Sequence, residues 1–193
     1  MPDLPDSPDV APNAPGGANQ GLRCHALALA LAISGGLLGI IGAAVQEFRG
    51  GDPLIAFVGA PIIEEALKPA GVYILLIRWP KLLRSRLYTA GLTAISGLCF
   101  GVVESLVYVA VYVPEHTESY VLFRFTVTPA LHAVASFIVG FGITPRLLAS
   151  MKGEIPLLQG SRKFFIAGMA LHSAYNITAF ALSLAGVLDF ESK

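Results

Sequence analysis

The sequence predicts an all-α protein: a polytopic membrane helix bundle of about five transmembrane helices around a polar intramembrane site. Three observations predict it. Of the 193 residues 54% are apolar and 13% charged, with a mean hydropathy of +0.67, whereas a soluble domain carries about 25% charged residues. Five apolar stretches are long enough to cross hydrocarbon, which takes about 20 mostly apolar residues. Four of these five carry ionisable or amide side chains in their interiors, where such groups are costly.

The same composition excludes other classes. Thirteen basic and thirteen acidic residues cancel, leaving no basic excess for a nucleic-acid backbone. Cys24 and Cys99 both sit in apolar runs, which excludes a short disulfide scaffold. Residues 1–21 hold Pro2, Pro5, Pro8, Pro12 and Pro15 with Asp3, Asp6 and Asp9, a composition that cannot bury a core. They are read as a disordered tail ahead of one transmembrane domain, residues 22–193. The tail lacks a basic start joined to an apolar run, so it is not read as a signal peptide.

The first stretch, 26–45, is almost free of polar side chains, and its Gly35-Gly36 pair suits close helix packing. The second, 54–77, carries Glu64, Glu65 and Lys68. The third, 87–113, carries Glu104. The fourth, 121–143, carries His132 and ends in Gly140-Phe141-Gly142. The fifth, 164–188, carries His172 and Asn176. Pro61 and Pro129 each lie three residues before a polar position, and each either opens a helix or kinks a longer one.

Basic residues set an expected orientation. Arg23, Arg78, Lys81, Arg84, Arg86, Arg146, Lys152, Arg162 and Lys163 fall on one side, and Arg49, Arg124 and Lys193 on the other. The bias predicts a multi-pass protein of the cell membrane with a cytoplasmic N-terminus and an external C-terminus.

At a rise of about 1.5 Å per residue, the polar residues of the four helices cluster near the membrane midplane. Glu64 and Glu65 are adjacent and point about 100° apart, so one can face a cavity while the other pairs with Lys68 in a structural ion pair. His172 and Asn176 are four apart and share a face, as do Phe100 and Glu104. Asn176-Ile177-Thr178 matches a glycosylation sequon but lies inside a span, and is not read as one.

This set of groups suits hydrolysis. A shielded carboxylate takes a proton from water and delivers hydroxide to a carbonyl; an imidazole and an amide donate to the resulting oxyanion. Carboxylates and imidazoles are equally ligands for zinc or iron, so a metal site competes with the metal-free reading. The chain has no His-Glu-x-x-His, no Gly-x-Gly-Asp and no Gly-x-Ser-x-Gly.

Four motifs in order resemble one family. Glu64-Glu65-Ala66-Leu67-Lys68 matches the Glu-Glu-x-x-Lys motif of the PrsW intramembrane proteases, and Phe100-Gly101-Val102-Val103-Glu104 their Phe-x-x-x-Glu motif. His132 resembles the third element, and His172-Ser173-Ala174-Tyr175-Asn176 a His-x-x-x-Asn fourth. The resemblance covers about residues 54–180. Related prenyl-protein and bacteriocin-processing peptidases usually show Glu-Glu-x-x-x-Arg and a histidine in the second motif; Lys68 and Glu104 favour the PrsW branch.

The resemblance implies an intramembrane endopeptidase. Glu64 would be the base and Glu65 an orienting carboxylate. Glu104 and His132 would help bind water or a metal, and His172 with Asn176 would support the oxyanion. A divalent metal such as zinc would draw its ligands from Glu64, Glu104, His132 and His172. The partner implied is a membrane-anchored protein of the anti-sigma-factor kind. Two other readings are weighed. A non-enzymatic membrane scaffold is disfavoured because no motif position is substituted. An ion-coupled transporter is disfavoured by small size and the absence of an inverted repeat.

Overall fold

The computed structural model describes residues 17–47 and 54–186. These form seven α-helices and no strand: α1 Gly17–Glu47, α2 Ala60–Leu67, α3 Ala70–Arg78, α4 Arg86–Val107, α5 Glu118–Gly140, α6 Pro145–Met151 and α7 Arg162–Leu184. The helical membrane bundle expected from composition is the fold observed. Four of its helical segments are long and apolar enough to cross a bilayer: Gln20–Val45, Arg86–Tyr112, Glu118–Gly140 and Arg162–Leu184. Of the tail read at residues 1–21, residues 1–16 lie outside the described residues, and α1 already includes the rest from Gly17.

The stretch at 54–77 differs from the single span expected. It opens with a π-helical turn, Ile55–Gly59, continues as α2, breaks at Lys68 and Pro69, and resumes as α3. Proline has no N–H to give to the preceding turn, so the ladder is interrupted there. The amide of Val72 turns to the Pro69 carbonyl at 2.8 Å. The Lys68 carbonyl takes a hydrogen bond from the Ser96 hydroxyl of α4 instead. The other two prolines behave differently from each other. Pro61 sits in the first turn of α2, where its missing donor costs little, and Pro129 lies inside α5.

Two of the helices, α4 and α5, start on side-chain caps. Ser85 accepts from the Tyr88 amide at 3.1 Å to open α4, and Thr117 accepts from the Tyr120 amide at 3.2 Å to open α5. A second π-helical turn, Tyr108–Tyr112, extends α4.

The chain runs up and down. α1 lies antiparallel to the α2–α3 segment and alongside α4, α5 packs along the length of α4, and α7 covers α5 and α2. Small residues set these approaches. A Cβ at Gly71 would overlap the Leu31 carbonyl of α1, and one at Gly101 would lie 2.7 Å from the Pro129 Cα of α5. The apolar core lies toward one end of the bundle, with Ala28, Ala32, Val72, Leu75, Val139 and Ile143 among its members. The polar residues occupy its centre.

Candidate active site

Glu64 and Glu65 reach the centre from α2, Glu104 from α4, His132 from α5, and His172 and Asn176 from α7. Lys68, the residue at the break, stands among them. It is fully buried, with Nζ 2.7 Å from Glu65 Oε1, 2.7 Å from His132 Nδ1 and 3.3 Å from Glu64 Oε2. The ammonium also lies 4.0 Å from the centre of the Phe100 ring, which closes its remaining side.

These contacts fix the protons on both rings. An ammonium only donates, so His132 accepts at Nδ1 and carries its hydrogen on Nε2, which donates to Glu104 Oε2 at 3.0 Å. A carboxylate only accepts, so His172 donates from Nδ1 to Glu65 Oε1 at 3.1 Å. The other ring nitrogen of His172, Nε2, lies 3.9 Å from Glu64 Oε2. The two rings meet edge to face with centroids 4.7 Å apart.

The adjacent glutamates are in different situations. Glu65 is satisfied on both oxygens: Lys68 and His172 donate to Oε1, and the Ser136 hydroxyl donates to Oε2 at 3.2 Å. Glu64 Oε2 is buried and has no hydrogen-bond partner among the described residues. Glu64 lines a cavity of about 430 Å³ together with Glu104, His132, His172 and Asn176, whereas Glu65 lies behind that wall. The cavity reaches Ala44, Ala56, Val113, Tyr120 and Ser183, all toward the end of the bundle where the π-helical turns lie. The Asn176 amide donates to the Ala56 carbonyl at 3.0 Å and ties α7 to the first of those turns.

One cavity residue escapes the motif reading. Arg124, counted above only as a basic residue of the connector side, is buried within α5 and lines the cavity. Its guanidinium stacks 4.0 Å from the Tyr108 ring centre and reaches Glu104 Oε2 at 3.3 Å. Its Nε has no partner among the described residues. The signal was present in the spacing. Arg124, Thr128, His132 and Ser136 follow one another at four-residue steps and share one face of α5.

Glu64, His132 and His172 each offer one ligand atom, all within 4.8 Å of one another. Carboxylate and imidazole donors suit zinc, and a catalytic zinc keeps a fourth position open. Glu64 Oε2 and His172 Nε2 lie 3.9 Å apart and make no hydrogen bond to each other, and Glu64 would trade its 3.3 Å contact with the Lys68 ammonium for the ion. His132 would first release Lys68 or Glu104, since both its nitrogens are engaged. The set therefore fits a divalent ion, with Glu104 adjoining it through His132.

Carboxylates and imidazoles around a cavity inside an apolar bundle define a class, the membrane-embedded hydrolases that work on bonds brought to a site within the bilayer. The model of the PrsW family of intramembrane metalloproteases matches residues 23–190, and the chain belongs to that family. No curated protein and no solved structure matches it.

Proposed function

We propose that this membrane peptidase cleaves membrane-anchored protein substrates with a water activated at Glu64. The observation that carries the reading is the buried Glu64 carboxylate at the cavity wall, whose Oε2 makes no hydrogen bond, faces the Lys68 ammonium at 3.3 Å and lies 3.9 Å from His172 Nε2. A carboxylate so placed holds a water and takes its proton as hydroxide adds to the peptide carbonyl. Glu65, held by Lys68, His172 and Ser136, orients His172. Glu104 orients His132 through Nε2. Asn176 and Arg124 line the same cavity and support the oxyanion, Asn176 on releasing the Ala56 carbonyl. Glu64, His132 and His172 would hold the divalent ion implied by the family, which polarises a carbonyl and acidifies bound water when present.

The substrate is a membrane-anchored polypeptide that enters the cavity as an unwound segment. The tyrosines of the second π-helical turn and Phe123 supply apolar wall for its side chains. An anti-sigma-factor-like partner rests on family resemblance alone. The purified full-length protein in liposomes, given single-span reporter proteins, is expected to cleave them near the membrane surface. His172→Ala is expected to stop cleavage, and removal of bound metal by a chelator to stop it reversibly. Wild-type protein that cuts none of the reporters but carries ions across the liposome would replace the peptidase reading with a transporter.

The orientation proposed is a cytoplasmic N-terminus, with the cavity mouth external. Its support is the basic asymmetry together with the mouth lying at the opposite, basic-poor end. Reporter fusions after Lys81 and after Glu118 should report opposite sides, with Lys81 cytoplasmic. An external Lys81 would invert the assignment.

A further inference from the structure

The end of the bundle away from the cavity mouth carries two adjoining voids with different linings. One, of about 480 Å³, is bordered by Arg86, Arg146, Gly160, Arg162, Lys163 and Phe164. The other, of about 340 Å³, is mostly apolar, bordered by Leu76, Pro80, Leu83, Ile143 and Pro145, with the hydroxyl residues Ser85, Thr89 and Thr144. Arg86 and Arg146 border both. We propose that this pair of voids binds one anionic phospholipid, its phosphate among the four cations and an acyl chain along the apolar cleft.

The four cations come from the starts of α4, α6 and α7, which are far apart in sequence and brought together by the fold. Ser161, just before α7, donates to the Gly142 carbonyl at 2.7 Å and fixes the start of α7 against the end of α5. Gly160 has a φ of 83°, and the Arg146 side chain lies 3.6 Å from where a Cβ there would be. Among the described residues none of the four cations is paired with a carboxylate. Like charges around one void repel unless an anion lies between them, and guanidinium forks match phosphate oxygens in a bidentate manner.

The apolar cleft decides the source of the phosphate. A free anion would use only the charged void. A headgroup joined to an acyl chain uses both, with Arg86 and Arg146 at the junction. The basic end is also the one the charge bias assigns to the cytoplasmic leaflet, where anionic lipids reside. The inference does not depend on the cleavage reaction.

The test uses the full chain purified in detergent, with retained lipid counted by native mass spectrometry. The probes are phosphatidylglycerol, phosphatidylcholine and inorganic phosphate. Wild type is expected to retain one phosphatidylglycerol in preference to phosphatidylcholine, with inorganic phosphate failing to displace it. Each cation at an anionic surface contributes about fivefold in binding, so R86Q/R146Q is expected to weaken retention by about 25-fold. R162Q/K163Q, which leaves the Arg146–Gly160 contact in place, should give a loss of the same size and serves if the first variant does not fold. K81Q/R84Q removes two charges at the same end outside both voids and should change retention by less than about threefold. Equal losses in K81Q/R84Q and the cavity variants, equal retention of the two lipids, or displacement by inorganic phosphate would each overturn the proposal.

Discussion

Glu64→Gln is expected to lower cleavage by about 10²–10⁴-fold while leaving the folded bundle intact. The amide keeps the shape of the side chain and removes its capacity to take a proton. The fold should tolerate it, because Glu64 Oε2 has no hydrogen bond to lose and only its longer, 3.3 Å contact with Lys68 is weakened. Lys68 keeps its closer partner, Glu65, at 2.7 Å. Glu65→Gln should behave in the opposite way. Glu65 accepts from Lys68, His172 and Ser136, so its neutral amide would disturb three contacts and lower the melting temperature first. Cleavage rate, melting temperature and bound metal measured on both variants separate the roles open to Glu64. Lost cleavage with metal retained identifies the proton acceptor, and joint loss of both identifies a ligand. Near-normal turnover in a well-folded Glu64→Gln protein would remove Glu64 from the mechanism and leave Glu104 as the remaining carboxylate at the cavity.

Lys68→Met is expected to destabilise the protein by about 3–5 kcal/mol, the cost of removing one partner from a buried ion pair. Methionine fills much of the same volume and can still pack on Phe100, so the loss is electrostatic. Glu65 would be left without the cation that faces it, and His132 Nδ1 without its donor. Lys81→Met, at an exposed position in the connector after α3, should leave the unfolding midpoint unchanged. Thermal unfolding in detergent compares the two. Equal midpoints for both variants would show that Lys68 contributes no net stabilisation.

Much of this centre was legible because helical spacing carries it. Glu64 to Lys68, Phe100 to Glu104 and His172 to Asn176 are four-residue steps, and each step puts two side chains on one face. The division of labour between Glu64 and Glu65 follows from their angular separation, although spacing alone could not say which one faces the cavity. Contacts between helices were not legible. Nothing in the local pattern joins Ser136 to Glu65, or Ser96 to the Lys68 carbonyl, because these pairings depend on how the helices are rotated against one another.

The break at Pro69 was hidden for a different reason. Residues 54–77 read as one span by hydropathy, which measures apolar content and does not register a missing backbone donor. Arg124 was missed because, although it lies within the 121–143 stretch, it was counted only as a basic residue near that span's outer end. In the structure α5 begins at Glu118 and carries it into the wall of the cavity.

The interrupted α2–α3 segment has a consequence for how the protein is made. It belongs to the 54–77 stretch, whose three charged side chains oppose entry into lipid by on the order of 8–10 kcal/mol together. That exceeds the gain from its twelve Leu, Ile, Val and Phe side chains, at about 0.3–0.6 kcal/mol each. The segment is therefore a poor client for one-at-a-time insertion by a translocon. α1, which carries no such burden, enters first and offers Gly35 against the Lys68–Gly71 backbone. The Ser96 hydroxyl that receives the stray Lys68 carbonyl arrives only with α4. Biogenesis thus runs from α1, whose 26–45 stretch is almost free of polar side chains, toward the polar centre, and the chain acquires its chemistry last.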